Sequence, residues 1–209
     1  TENGAFLDAG TVFASCGGAC TPIVEENHIR LPGQHNIENY MAAFSAVGDV
    51  VSAGVMEQTA RSCAGVEHRI ERVRELRGVK WYNDSIASSP TRTIAGLRAF
   101  EEKVILIAGG YDKHIPFTPL APEIISHAKL LILCGATADA IEQAVRSCTD
   151  YCGSPEILRC ASLKECVETA NARAKPGDVV TLSPACAAFD QFRDFMERGR
   201  VFKELVNAL

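Results

Sequence analysis

VILIAGGYDK, residues 104–113, and LLILCG, residues 130–135, decide the fold. Each begins with an unbroken apolar run and ends in glycine. A strand with one wet face alternates apolar and polar side chains, whereas a continuous run marks a strand covered on both faces, the habit of parallel sheets flanked by helices.

The same alternation of compact apolar runs and amphipathic segments extends both ways from these stretches. Strands are predicted over 68–76, 79–83, 103–109, 129–135, 156–160 and 178–183. Helices are predicted near 90–100, 119–127, 137–147, 162–173 and 190–207. The expected fold class is α/β, with a Rossmann-like, doubly wound, mostly parallel sheet over residues 66–209. Upstream, residues 1–65 read as a separate piece. TVFAS and PIVEE suggest small strands among residues 1–30, too few for a sheet of their own. After Pro32-Gly33, the spacing of Ile37, Tyr40, Met41, Phe44 and Val47 predicts a helix, with a second, short one over 55–62.

The chain has 209 residues, enough for one large domain or two small ones with a real core. Its 26 acidic and 21 basic residues give a formal charge of −5. That balance, with no Lys/Arg run, argues against nucleic-acid or anionic-membrane partners. Nine scattered cysteines, an odd number, read as reduced thiols of a cytoplasmic protein. Cys16/Cys20 and Cys148/Cys152 complete no metal shell. No stretch approaches the roughly 20 apolar residues of a membrane span. A first residue of Thr, not Met, suggests a piece excised from a longer chain.

In doubly wound sheets, ligands bind at the carboxyl ends of the strands. The handovers there are NDSIASSP (83–90), AGGYDKHIP (108–116), CGAT (134–137) and SPACAAFD (183–190). Asp84 suits ribose-like hydroxyls or, equally, a turn or helix cap. Ser88 or Ser89 before Pro90 suits a helix start, whose outward N–H groups attract anions. Lys113 could meet a carboxylate or lie solvated in its loop. His68-Arg69 suits a phosphate, or Arg69 a surface ion pair with Glu67 or Glu71. Asn36 and Asn39, one helical turn apart, could address a planar base edge, with capping by Asn36 the competing role. His28, His114 and His127 fit no constellation. Neither a GxGxxG fingerprint nor a Walker A sequence occurs.

In order along the chain stand G-x-H-N-x-x-N (33–39), E-H-R-x-E (67–71), N-D-S-x-A-[ST] (83–88), G-G-x-D-K (109–113) and S-P-A-C-A followed by D-x-F-x-x-F-x-x-R-G-x-x-F (183–202). Together they resemble the Mur ligases from about Leu31 to Leu209, and within that family the enzyme that adds D-glutamate to UDP-N-acetylmuramoyl-L-alanine (UDP-MurNAc-L-Ala). The resemblance implies that 1–65 is the end of a central ATPase domain and 66–209 the C-terminal Rossmann-like domain. It also implies an ATP- and Mg2+-dependent ligase of peptidoglycan precursor synthesis working through an acyl phosphate. The magnesium ligands would lie mainly outside this chain, which would be incomplete alone. By position, Asn36 and Asn39 would contact adenine, His68 and Arg69 the ribose and phosphates, and Asp84 the ribose hydroxyls. Lys113 would hold a D-glutamate carboxylate, aided by Ser88, Ala188, Phe189 and Phe195; Lys113, His68 and Arg69 form the expected catalytic set. Two positions depart from the family's habit: Ile86 stands where Lys is frequent, and Ala188 where Ser is common. The expected partners are small molecules (UDP-MurNAc-L-Ala, D-glutamate, ATP), and the protein is expected to be a monomer. Alternatives are another Mur ligase, a folylpolyglutamate synthase relative, or a non-catalytic nucleotide- or amino-acid-binding module.

Overall fold

The structure, a computed structural model, describes residues 3–31, 33–63 and 65–209. The chain forms two compact units that divide between Gly65 and Val66.

In the first unit, β1 (Gly4–Asp8), β2 (Thr11–Cys16) and β3 (Ala19–Glu25) form an antiparallel sheet in the order β1-β2-β3. This corrects the expectation that the segment is too poor in strands for its own sheet. GAFLD carries weak alternation, but Phe6 pairs with Phe13 across the strands and their rings stack at 5.4 Å. Helices α1 (Gln34–Val47) and α2 (Ala53–Ser62) follow. Tyr40 and Phe44 of α1 and Met56 and Ala60 of α2 close a core with Val12, Ile23 and Val24.

The second unit holds a six-stranded sheet and five helices. Its elements are β4 (Glu71–Leu76), β5 (Val79–Asn83), α3 (Pro90–Leu97), β6 (Val104–Ala108), α4 (Ala121–His127), β7 (Ala128–Leu133), α5 (Ala138–Arg146), β8 (Glu156–Arg159), α6 (Leu163–Arg173), β9 (Val179–Leu182) and α7 (Phe195–Asn207). The strand order is β4-β5-β9-β6-β7-β8, and only the β4–β5 hairpin is antiparallel. The doubly wound, mostly parallel sheet expected from the sequence is thus present. In β6, Val104, Leu106 and Ala108 join a core with α3, α4 and α5, while Ile105 and Ile107 join the opposite core with α6 and α7. No residue of the strand is more than 1% exposed. Each buried Leu or Ile contributes about 1.5–3 kcal/mol relative to an exposed one, so a strand with two apolar faces is stabilised from both.

Two boundaries differ from the sequence reading. β4 starts at Glu71 because His68 and Ile70 have positive φ, 68° and 45°, and cannot lie in a strand. α7 starts at Phe195 instead of near 190 because Asp194 caps it: Asp194 Oδ1 accepts from Glu197 N–H at 2.7 Å. No helix of the described residues is long and apolar enough to cross a membrane.

Candidate functional site

Because β9 lies between β5 and β6, the connection from β5 through α3 to β6 passes over it. The helices after β5 and β6 pack on one face of the sheet and α7, after β9, on the other, and the loops after these three strands meet at one crevice. Backbone bonds tie these loops: Asp84 N–H to Leu182 O at 2.8 Å, Gly109 N–H to Pro184 O at 2.9 Å, and Tyr111 N–H to Ala187 O at 3.0 Å. Gly110 permits the last approach. A Cβ on it would lie 2.4 Å from Ala187 O, and its φ of 149° excludes most side chains.

The crevice floor is polar, buried and satisfied. Arg198 of α7, 3% exposed, is its centre. Its Nε donates to Ser85 Oγ at 3.0 Å, Nη1 to Ala187 O at 3.0 Å, and Nη2 to Ser85 O at 2.9 Å and Cys186 O at 3.0 Å. Ser85 Oγ in turn donates to Phe195 O at 2.8 Å. One planar cation therefore fixes the loops after β5 and β9 to α7. Burial lowers its pKa to about 10, so it remains charged at neutral pH. On the neighbouring side, Thr137 Oγ donates to Gly110 O at 3.0 Å and accepts from Gly110 N–H at 3.1 Å.

Asp84 lies in this floor, 4% exposed. Its Oδ2 accepts from Ser183 Oγ at 2.7 Å and its Oδ1 from Ile70 N–H at 3.3 Å. Burial raises its pKa to about 7, against the opposing pull of these two bonds. The carboxylate thus braces the turn before β4 against the end of β9.

The His68 ring is also buried and faces α7, where its Nδ1 would lie 2.2 Å from a Cβ on Gly199. Asn83 Nδ2 donates to that Nδ1 at 2.9 Å and to Glu71 Oε2 at 3.0 Å, which makes Nδ1 an acceptor. Desolvation lowers the imidazole pKa and keeps the ring neutral. Phe195 meets it edge-on with centroids 6.0 Å apart. Glu67, His68 and Glu71 gather ligand atoms within 4.8 Å. A divalent cation does not fit them, because Lys203 Nζ already stands 2.6 Å from Glu67 and 2.9 Å from Glu71.

The rim is different. Arg69, Arg92 and Lys113 are exposed, and none forms a salt bridge with a described carboxylate. The alternative pairing of Arg69 with Glu67 or Glu71 is absent, since Lys203 occupies both. Lys113 Nζ donates to Ser88 O at 3.0 Å, so the structure brings these two predicted residues together. Ser89 holds the N-cap position of α3, with Pro90 next, but its hydroxyl bonds to Thr91 Oγ at 3.2 Å instead of capping the helix. Ala188 is buried, whereas Phe189 is 64% exposed and packs edge-on against Tyr111 at 5.8 Å. Beyond the 108–116 loop, a cleft of about 450 Å³ lined by Asp112, His114, Phe117 and Gln143 contains no Lys or Arg.

In the first unit, Asn36 is buried in the first turn of α1, while Asn39 is exposed. The carboxamides expected to share one face therefore differ in access to solvent. Asn83, Ser85 and Arg198 stand at fixed positions of the N-D-S-x-A-[ST] and D-x-F-x-x-F-x-x-R-G-x-x-F patterns, but the sequence reading gives none of them a role.

Fold and site together define an α/β domain with exposed cations over a buried polar floor at the carboxyl ends of its parallel strands. The family model described as Mur ligase, glutamate ligase domain, matches residues 68–186, and the chain belongs to that family. It is 51% identical over 211 aligned positions to the UDP-N-acetylmuramoylalanine--D-glutamate ligase of Acetivibrio thermocellus, covering 100% of this chain and 45% of the relative. The enzyme of the same name from Clostridium acetobutylicum is 54% identical, with 100% and 45% covered. Among solved structures, the E. coli FolC protein in complex with ADP shares the fold with a TM-score of 0.66 at 18% identity, covering 100% of this chain and 47% of that one. The chain thus spans about half the length of the curated relatives it matches.

Proposed function

We propose that this chain is the amino-acid-receiving part of an ATP-dependent ligase that joins D-glutamate to UDP-MurNAc-L-Ala. In this reading, ATP converts the acceptor's terminal carboxylate to an acyl phosphate. The amine of D-glutamate attacks the carbonyl, and the tetrahedral intermediate collapses to amide and phosphate, with ADP already formed. The observation that carries the reading is the contrast at the crevice. The rim cations Arg69 and Lys113 lack carboxylate partners, whereas Ser85, Ser183, Thr137 and Cys186 behind them are buried and engaged in internal hydrogen bonds. Such a site holds anions in place and contributes no nucleophile of its own. Half-identical relatives of that name support the choice of amino acid.

Within this reading, Lys113 holds a carboxylate of D-glutamate beside Ser88, and Phe189 and Phe195 border the same subsite. Arg69 faces the nucleotide phosphates; of the two carboxamides expected at the adenine, Asn39 is exposed and open to a base edge, whereas Asn36 is buried. Asp84 and His68, both buried, position the loops that carry these groups. Magnesium offsets phosphate charge in such reactions. The Glu67–His68–Glu71 cluster does not fit it.

The test uses the full-length protein with UDP-MurNAc-L-Ala, ATP and Mg2+, adding D-glutamate, L-lysine or meso-diaminopimelate in turn and measuring phosphate release. Release is expected with D-glutamate alone. No D-glutamate-dependent release would overturn the assignment.

A further inference from the structure

The β5–α3 loop is gripped by two cations at carbonyls two residues apart. Lys113 Nζ donates to Ser88 O at 3.0 Å, and Arg92 Nη1, reaching back from the first turn of α3, donates to Ile86 O at 3.4 Å. Both side chains are exposed, and neither forms a salt bridge to a described carboxylate. Asp84, the acidic residue beneath the loop, is buried with both oxygens engaged by Ser183 and Ile70; Arg92 acts on it through space but forms no salt bridge with it. Arg92 presents five donors in a planar fork, of which the loop carbonyl engages one. The position that could place an ammonium in the loop itself is Ile86, which is aliphatic.

From this juxtaposition we propose that Arg92 is a substrate-contacting residue of the amino-acid subsite, and that Lys113 and Arg92 hold one carboxylate each of a dicarboxylic amino acid. A monocarboxylate needs one such cation. Glutamate carries two carboxylates, and two cations anchored to one short loop match that charge pattern. A guanidinium suits the outer carboxylate because it can bind both oxygens at once, whereas the Lys113 ammonium is a point charge. Tethering both cations to backbone carbonyls reduces the side-chain entropy lost when the ligand arrives. The inference rests on the D-glutamate reading above and assigns Arg92 a place within it.

Steady-state kinetics of the full-length protein test the role. Arg92→Ala is expected to raise the KM for D-glutamate about 10–100-fold, the usual loss for one charge-assisted pair, with the KM for ATP and kcat within about twofold of wild type. Arg92→Lys is expected to recover part of the loss, because the charge returns without the fork. A D-glutamate KM within twofold of wild type in Arg92→Ala, or a fall in kcat with KM unchanged, would overturn the role while D-glutamate turnover by the wild type upheld the function. Wild-type protein with no D-glutamate-dependent phosphate release would instead overturn the function.

Discussion

The floor and the rim of the crevice are built from similar residue types and behave oppositely. Arg198 in the floor has four hydrogen bonds to Ser85, Cys186 and Ala187, whereas Arg92 on the rim has one carbonyl contact and solvent. Asp84 below is buried and protein-bound, and Lys113 above is exposed. The difference shows where each kind of charge acts. The buried, fully bonded Arg198 orders the loops, and its removal leaves buried partners unsatisfied. An exposed cation without a partner contributes little to stability, so its effect falls on ligand binding.

The contrast can be broken first at Arg198. Arg198→Met keeps much of the volume but strands three carbonyl contacts and the Ser85 hydroxyl, and should cost about 3–5 kcal/mol in denaturant unfolding. A loss under about 1 kcal/mol would mean that the floor is not held by this side chain.

Asp84 should give the pH signature. Its pKa is raised from the ordinary 3.8 to about 7, so the folded state binds the proton more tightly than the unfolded state. This contribution to stability is full below about pH 4 and is lost as pH rises through about 7, on the order of 4 kcal/mol at most. Asp84→Asn should flatten that slope in thermal melts taken from pH 4 to 8. An unchanged slope would remove Asp84 as its source.

At Gly199 a methyl group would meet the His68 ring at 2.2 Å. Gly199→Ala should therefore destabilise by about 1–3 kcal/mol through overpacking, measured by the same unfolding experiment. The smallest effect belongs to the rim: Arg69→Ala should change stability by less than about 0.5 kcal/mol while raising the KM for ATP.

Much of the sheet was legible because it depends on local chemistry. The unbroken VILIA and LLILC runs specify strands buried on two faces, and the glycines after them mark the crevice. Of the site residues named from the sequence, Ser88 and Lys113 come within hydrogen-bond reach of each other at the rim, and Asp84 and His68 lie buried in the floor. The pairings within the floor were not legible, because they join residues far apart in sequence: Ser85 bonds to Arg198 and Asp84 to Ser183, and His68 packs against Gly199. Nothing local to His68 indicates a φ of 68° or a ring turned toward a helix some 130 positions later. The small sheet of residues 4–25 escaped for a similar reason, since cross-strand pairing rescues a segment with weak alternation of its own.

The central claim, that the rim cations bind ligand and do not hold the fold, is tested most directly at Lys113 in the full-length protein. With stability monitored in parallel, Lys113→Ala should leave the unfolding midpoint within about 0.5 kcal/mol of wild type. It should raise the KM for D-glutamate about 10–100-fold and far more than that for ATP. An unchanged D-glutamate KM, or a loss of stability large enough to account for the loss of activity, would contradict the account.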